Sequence, residues 1–450
     1  MLKKLPSQPQ LEMFKTVLAS FINPDHELCL LANKINWGNL EKEFAPLYAE
    51  VGRPSIPIRT IVGLLLLKQI YDLGDETVMD RYIDSPYCQH FCGEIYFQYD
   101  YPFDPNDFVH FRKRIGEKGM ELIFKQSIDL FGKEKVRKEV KEVRVDTTVQ
   151  EKNITFPTDR KLIEKVIGHC KRIAREENIK LKRTYGREIK KLKHQLRFAR
   201  KPKNMNKLRK AQRRLHRIAF RIYQDLVKQL GPIPIEYMKE FDVLYRVLTQ
   251  KRDDTNKVYS VHEPEVLCIS KGKEHKQYEF GNKSSFAYTR GSGIIVGAMA
   301  VEGNAYDGHT LKPQLEQVKE LTGGKIKKAI VDRGYKVKGG ITGIDIVMPK
   351  LLKRESYYLK KKREERCRSR AGIEGLISHL KHDHRMLRNY LSGTAGDQIN
   401  TLLAATAYNM KKWMRLEKQK ILDLIFCWIY RSFILVPAIS NGMGYKKNGY

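Results

Sequence analysis

The sequence predicts an α/β protein in which a mixed β-sheet is flanked by helices, with an all-α N-terminal domain and a basic helical insertion after the first strand. Three observations predict this class. Residues 1–137 carry helical patterns, later β-branched runs alternate with helical segments, and a long basic stretch follows the first of those runs.

The charge balance points to a polyanionic partner. The 450 residues include 85 Lys and Arg against 52 Asp and Glu, a net charge of +33. Because such a surplus repels itself in a folded protein, it favours binding to nucleic acid, with an anionic membrane surface as the weaker choice. Hydrophobic residues make up 41% of the chain, which is enough for packed cores and excludes wholesale disorder.

The cysteines and the two terminal segments argue against a secreted protein and against a membrane protein. The seven cysteines are scattered and indicate neither a disulfide framework nor a zinc site, so Cys88, His90 and Cys92 are interpreted as core residues. The N-terminus lacks the apolar core of a signal peptide. The apolar segment 421–440 carries Asp423, which favours a packed helix over a membrane span. We expect a reducing, cytoplasmic compartment.

The N-terminal domain is expected to be a compact helical unit. Residues 57–68 are apolar on nearly every side, which predicts a buried helix, and Asp75 is placed to cap the next helix. A later helix, capped by residues 104–107, should display His110, Arg112, Lys113 and Arg114. A unit of this kind is typical of a helix-turn-helix DNA-binding module, and a merely solvated basic face is the alternative.

A strand at residues 143–149 precedes the basic stretch. Between residues 160 and 228 there are 25 Lys and Arg against 5 Asp and Glu, and the apolar residues keep helical spacing. A break at residues 201–204 predicts a helical hairpin, with an inward stripe formed by Leu208, Leu215, Ile218, Ile222 and Leu226. We expect this hairpin to clamp the DNA backbone through Arg213, Arg214 and Arg217. Two alternatives are a soluble coiled coil and a hairpin that joins protomers.

The remaining elements complete the sheet. Strands are predicted at residues 277–283 and 294–301, then a helix at 311–321, strands at 328–332 and 344–348, and helices from about residue 364. Asp146 lies in the first strand and Asp332 at the end of a later one, where an unpaired carboxylate is costly. Strand-end Asp residues are also common turn and cap formers, so neither is decisive alone.

A helix after residue 366 supplies a third carboxylate. Arg370, Glu374 and Lys381 share one helical face, which would put an acidic metal ligand between two phosphate-binding cations. Phosphoryl transfer on nucleic acid uses such carboxylates to hold two divalent cations. The bland alternative is an Arg–Glu surface pair. Asp307 and Asp345 are rival carboxylates, and both rank lower because Asp307 is placed to cap a helix and Asp345 lies within a strand.

These residues fall in motifs with a recognisable order. The motifs are VDTTV (145–149), YEFGNK (278–283), GNAYDGHTL (303–311), VDRGY (331–335) and the helix with Arg370, Glu374 and Lys381. From about residue 5 to 415 the chain resembles the DDE transposases of bacterial insertion sequences, in the "insertion sequence five" type group, which have an RNase H-like catalytic domain. The relatives place a Tyr three residues before the Arg, where this chain has Cys367.

The resemblance implies the site residues and the activity. It implies a catalytic, metal-binding triad of Asp146, Asp332 and Glu374 that holds two Mg²⁺ ions, for which Mn²⁺ can substitute. It also implies that Arg370 and Lys381 contact phosphate. The implied enzyme cuts double-stranded DNA at insertion-sequence ends and joins the 3′-OH to target DNA. It would work as a homodimer in the bacterial nucleoid, away from membranes.

Two other functions remain open at this point. One is a non-catalytic DNA-binding protein derived from such an element, and the other is an RNA-binding protein that uses the basic hairpin. The domain boundaries that follow are 1–137 (helical, DNA-binding), 138–418 (catalytic, with the insertion at 159–257) and 419–450 (apolar tail of unassigned role).

Overall fold

The structure is a computed structural model. It describes residues 15–49, 51–52, 54–197, 205–270, 277–335, 340–349, 356–368 and 372–440, and side chains are described as far as residue 424.

Among the described residues, seven α-helices precede the first strand, as the helical patterns predict. The third is buried along its whole length, which confirms the buried helix expected at residues 57–68. The helices are α1 (Glu27–Lys34), α2 (Trp37–Phe44), α3 (Ile58–Ile70), α4 (Thr77–Asp84), α5 (Pro86–Phe91), α6 (Asp107–Asp129) and α7 (Lys133–Glu139).

Asp75 does not cap α4, so that expectation is wrong. Its carboxylate instead accepts from Lys68 at 2.5 Å and from Arg112 at 3.0 Å, and both cations are buried. A buried cation needs an opposite charge, and this need outweighs a surface cap. Arg112 is therefore missing from the basic face expected on α6, where His110, Lys113 and Arg114 are exposed.

The sheet has seven strands among the described residues. Antiparallel pairs join β4, β3 and β1, and parallel pairs join β1, β5 and β6, which gives the central order β4-β3-β1-β5-β6. The strands are β1 (Glu142–Lys152), β2 (Leu267–Ser270), β3 (Tyr278–Thr289), β4 (Ile295–Val301), β5 (Lys328–Ile330), β6 (Asp345–Val347) and β7 (Arg388–Asn389). The mixed sheet is confirmed, and β2 and β7 are additional to the sequence prediction.

The insertion after β1 is a four-helix unit rather than a hairpin. It comprises α8 (Asp159–Glu176), α9 (Gly186–Arg197), α10 (Met205–Leu230) and α11 (Ile235–Thr249), which enclose a hydrophobic core of their own. Two helices alone would leave one side of their apolar stripe in water, and α8 and α11 cover that side. The stripe on α10 points inward as predicted, with Leu208 only partly buried. The break predicted at residues 201–204 lies outside the described residues.

A long C-terminal helix connects the N-terminal helices to the sheet. Helix α12 (Asp307–Thr322) lies between β4 and β5, and α13 (Tyr357–Arg368) and α14 (Gly372–Asp383) precede α15 (Gly393–Ser440). On α15, Asn409 binds both the backbone of Ile295 in β4 and Ser127 of α6. The N-terminal helices and the sheet consequently share one hydrophobic core.

The apolar C-terminal segment continues α15 as a helix. Within the described residues, no helix combines the length and the apolar character that a membrane crossing requires. The six cysteines whose side chains are described are all free, which agrees with the absence of a disulfide framework from the sequence pattern.

Candidate functional site

The pairing of β1 with β5 brings two of the predicted carboxylates together. The parallel register joins Val143 to Ala329 and Arg144 to Ile330. Asp146 and Asp332 each follow the last paired residue by two positions, and both carboxylates lie near Tyr335. Each carboxylate also accepts a hydrogen bond from the next backbone amide in the chain, at 2.8 Å for Asp146 and 2.6 Å for Asp332.

Both residues lie beside a gap in the pairing of β1, which we call the β1 notch. On one edge β1 pairs with β3 over nearly its whole length. On the other edge, among the described residues, β1 pairs with β5 at residues 142–144 and with β7 at residues 151–152, so residues 145–150 lack a strand partner there. Most of this part of β1 is buried all the same, since Val145, Thr148, Val149 and Gln150 are at most 5% exposed and α14 (Gly372–Asp383) contacts the strand.

Tyr335 fills the inner side of the site. Its ring is 1% exposed, and its hydroxyl makes no hydrogen bond of regular geometry with the described residues, although it faces Thr147. Burial raises the pKa of Tyr335 well above its ordinary value, and the nearby carboxylates of Asp146, Asp307 and Asp332 add to the rise. The hydroxyl therefore stays protonated near these acidic groups.

Asp307 belongs to the same neighbourhood, although the sequence ranks it lower as a helix cap. The residue before α12 makes no side-chain cap, and the Asp307 carboxylate binds the Lys283 ammonium at 3.0 Å instead. A Cβ atom built on Gly334 would lie 3.9 Å from Asp307, and Tyr306 donates a hydrogen bond to the Gly334 carbonyl. The sequence signal that could have identified these residues is their place in the motifs quoted above, which contain Lys283, Asp307 and Tyr335.

Glu374 lies in the first turn of α14, a helix that packs against β1 and α15. Ile373, Leu376 and Leu380 are buried, and Glu374 is exposed. Among the described residues, no atom lies within 4 Å of a Cβ built on Gly375, so the space beside Glu374 is open.

The basic partners of Glu374 are placed only in part. Lys381 is half-buried, seven residues after Glu374 and on the same helical face. Arg370 lies outside the described residues. Helix α13 leads toward this segment and is fastened to β1 by Arg366, whose guanidinium lies 2.7 Å from Glu142.

The described residues include no group of three or more His, Cys, Asp and Glu side chains that could hold a metal ion. Within those residues, Asp146, Asp332 and Glu374 are therefore not assembled into one set of metal ligands. The donor chemistry nevertheless suits Mg²⁺, since this hard cation prefers carboxylate oxygens and keeps several waters.

The basic residues expected to bind DNA differ from one another in the structure. Arg213 and Arg217 are exposed on α10. Arg214 is instead held by Glu188 of α9, with Nε and Nη2 at 2.6 Å and 3.0 Å from the two carboxylate oxygens. A bidentate ion pair of this kind competes with phosphate for the guanidinium.

Comparisons with known proteins match both halves of the chain. Residues 16–114 match a family described as "Transposase domain (DUF772)", and residues 257–410 match one described as "Transposase DDE domain". The second match contains Asp332, Glu374 and Lys381 and begins after β1, which carries Asp146.

A relative from Rhizobium meliloti, the uncharacterized protein ORF8 in the nfe locus, is 38% identical over 184 residues, which cover 40% of this chain and 89% of the relative. No solved structure matches the chain significantly. With the two transposase families matched in order along the chain, and with the motifs of the sequence in the same order, the chain belongs to the DDE transposases of insertion sequences.

Proposed function

We propose that this transposase cuts DNA at insertion-sequence ends and joins the freed 3′-OH to target DNA by two-metal phosphoryl transfer. The observation that supports the proposal is the parallel pairing of β1 with β5, because Asp146 and Asp332 each follow its last paired residue by two positions and both raise the pKa of Tyr335. We assign the sheet to the RNase H-like class on the same grounds.

Asp146, Asp332 and Glu374 are the proposed metal ligands. Two bound divalent cations activate the attacking oxygen and stabilise the leaving oxygen. Glu374 is the third ligand on the strength of its family motif and of the open space beside it at Gly375. Tyr335 is a proposed positioning residue, because its buried and protonated hydroxyl can donate to the Asp146 side or to an entering phosphate oxygen.

The chain's basic residues are proposed to hold the DNA. Arg370 and Lys381 would contact phosphate near the scissile bond, where the planar guanidinium of an Arg can bind two oxygens at once. Arg213 and Arg217 would contact the backbone further away, and Arg214 would do so only after leaving Glu188. We further propose that the protein acts as a homodimer on DNA. In the proposed domain organisation, residues 1–137 bind DNA and residues 138–418 form the catalytic domain, which contains the insertion at 159–257. Residues 419–450 form a tail.

Three alanine variants test the triad. Asp146→Ala, Asp332→Ala and Glu374→Ala should each lower strand cleavage about 100-fold or more, since each removes charge that positions the reacting groups. The substrate is a duplex that contains the DNA flanking the gene, with Mg²⁺ present. Binding of the same duplex, measured by fluorescence anisotropy, should change little.

Asp345→Ala is the matched control. Asp345 begins β6, is largely exposed and lies 3.8 Å from Lys328, so it shares the strand setting without facing the β1 notch. Cleavage by this variant should equal that of the wild type. A triad variant that cleaves as fast as Asp345→Ala would contradict the assignment, and a wild-type chain that binds the duplex but never cleaves it would favour the non-catalytic alternative.

A further inference from the structure

The helical insertion contains an open pocket of about 880 Å³ between α8, α10, α11 and the segment that follows α11. Pockets of this size commonly enclose small molecules and are too confined for a DNA duplex. Six cationic side chains line it, three from one face of α10 and three from the segment after α11: Arg209, Arg213, Arg217, Lys251, Arg252 and Lys257.

The cations of this pocket lack ion pairs in the described part of the chain, although Lys257 Nζ donates to the Arg252 carbonyl at 3.2 Å. The pocket contains one acidic residue, Asp159, and within the described part of the chain no ion pair involves any of the six cations. Some other cations of the insertion are paired, as Arg172 is with Glu240 at 2.6 Å and Arg214 with Glu188 at 2.6 Å. Six unpaired cations around one concavity create a strongly positive potential that an anion would relieve.

The pocket also has an apolar floor. Leu162 and Ile163 of α8 and Val247 of α11 line it, and each is at least nine-tenths buried. All three also belong to the hydrophobic core of the insertion, and a small part of each faces the pocket. A nucleotide matches both features, because its phosphate is anionic and its base and sugar present apolar faces.

The polar groups of the wall are partly fixed and partly free to bind. Gln250 uses both ends of its amide on the backbone of Val258, at 2.8 Å and 3.3 Å, and His216 Nε2 donates to the Leu248 carbonyl at 2.8 Å. These bonds hold the wall in place. Gln212 is exposed at the pocket on the same helical face as the arginines, where its amide can reach the edge of a base.

We infer that this pocket binds unpaired nucleotides of a DNA strand, with phosphates on the cationic rim and a base or sugar on the apolar floor. The inference rests on the proposed function in taking DNA as the polyanion. It adds that the insertion holds a single-stranded segment in a concave site, whereas duplex DNA would meet only the exposed outer sides of the helices.

A triple substitution that removes the α10 part of the rim is the main test. Arg209→Gln, Arg213→Gln and Arg217→Gln are made together in the full chain, and binding of a fluorescein-labelled oligothymidylate is titrated at several salt concentrations. If all three contact phosphate, the slope of log K against log salt should flatten by about 2, since each contact to a single strand contributes about 0.7.

The matched control removes the same charge from the same helix outside the pocket. Lys207, Lys210 and Arg221 are exposed on α10 and do not line the pocket, and all three are changed to Gln. This control should flatten the oligothymidylate slope by less than about 0.7. Both triple variants should weaken duplex binding to a similar extent, because general electrostatic attraction depends on total charge.

A second pair of variants changes one charge without changing size. Gln212→Glu puts a negative charge into the pocket, and Gln224→Glu puts one on an exposed position of α10 outside it. Only Gln212→Glu should weaken oligothymidylate binding strongly. All of these positions are exposed, and thermal melting checks that each variant is folded.

Equal effects of the two triple variants on oligothymidylate would overturn the pocket proposal and leave the proposed function intact. Equal effects of the two Glu variants would overturn it in the same way. If the wild-type chain binds neither oligothymidylate nor duplex, the pocket proposal and the proposed function both fail. A competition experiment compares inorganic phosphate with a mononucleotide as competitors of oligothymidylate. If the two compete equally well, the pocket is a simple anion site, and the role proposed for the apolar floor is wrong.

Discussion

A buried carboxylate on α15 should be essential for the stability of the catalytic sheet. Asp397 is 1% exposed and lies 3.0 Å from the Lys152 ammonium at the end of β1. Its two oxygens also accept from Asn282 of β3 and Asn389 of β7, each at 2.6 Å. One carboxylate thus joins three strands to the long helix that packs on them.

Asp397→Asn keeps the size of the side chain and removes its charge. The new amide can accept on one side only, so its NH₂ group would face the donor of Asn282 or Asn389. Lys152 would remain buried with the carbonyls of Leu391 and Gly393 at 2.8 Å and 2.9 Å, and with Glu263 at 3.5 Å. Removing one partner of a buried pair typically costs 3–5 kcal/mol, and because Glu263 compensates in part we expect about 3 kcal/mol.

The free energy of unfolding in urea, followed by circular dichroism, measures this effect. Asp423→Asn is the control, because Asp423 lies on the same helix but is exposed, and it should change stability by less than about 0.5 kcal/mol. A cost below about 1 kcal/mol for Asp397→Asn would refute the reasoning.

A double variant separates the cost of the missing charge from the value of the pair. Burial raises the pKa of the Asp397 carboxyl, although Lys152 and the amides of Asn282 and Asn389 oppose the rise. The ionised form is therefore expensive to bury, and the pair contributes less than the loss of one member suggests. Lys152→Met combined with Asp397→Asn should cost less than the sum of the two single variants.

Three further predictions concern the sheet, pH and salt. Gly281→Ala should lower the free energy of unfolding by about 3 kcal/mol, because the added Cβ would lie 1.9 Å from the Gln150 carbonyl oxygen of β1. The control is Gly168→Ala in α8, where the added Cβ meets no atom within 4 Å, and it should be neutral or stabilising in the same urea titration. Burial lowers the pKa of His384 to about 4 from 6.5, so the neutral imidazole contributes its full stability above pH 6.5, and this contribution is lost as the pH falls toward 4. His384→Gln should remove up to about 3 kcal/mol of this pH dependence of the free energy of unfolding. An unchanged dependence of stability on pH in the variant would contradict the prediction. In oligothymidylate binding, Arg217→Gln should flatten the slope of log K against log salt by about 0.7 and Arg214→Gln by clearly less, and equal slopes would show that the ion pair of Arg214 with Glu188 does not compete with DNA.

Elements that depend on local pattern were predictable from the sequence. The all-round apolar run gives buried α3, and the stripe on α10 points into the core of the insertion. The strand around Asp146 was also predictable, since its residues are β-branched and bounded by charge. In each case the pattern of apolar and polar residues along the chain indicates which faces of the element are buried.

Features that depend on distant partners were not predictable. Arg112 is buried because Asp75, 37 residues earlier, accepts its hydrogen bonds. Strand β7 has only two residues and forms because β1 offers it an edge. Asp307 resembles a helix cap in sequence, and only the fold shows that it binds Lys283. Such contacts come from the register and the packing of separate elements, which a single sequence does not display.

The two carboxylates at the β1 notch show how strand length contributes to the candidate site. A central strand with a bare edge leaves backbone groups without strand partners, which is costly inside a protein unless water or a ligand reaches them. Strand β5 ends at Ile330, just before Asp332 and the turn at Arg333 and Gly334, and pairing with β1 resumes only at residue 151. Had β5 continued for six more residues, its backbone would close the edge beside Asp146. The early end of β5 therefore lets the chain turn at Arg333 and Gly334 and brings Tyr335 into a buried position near both Asp146 and Asp332.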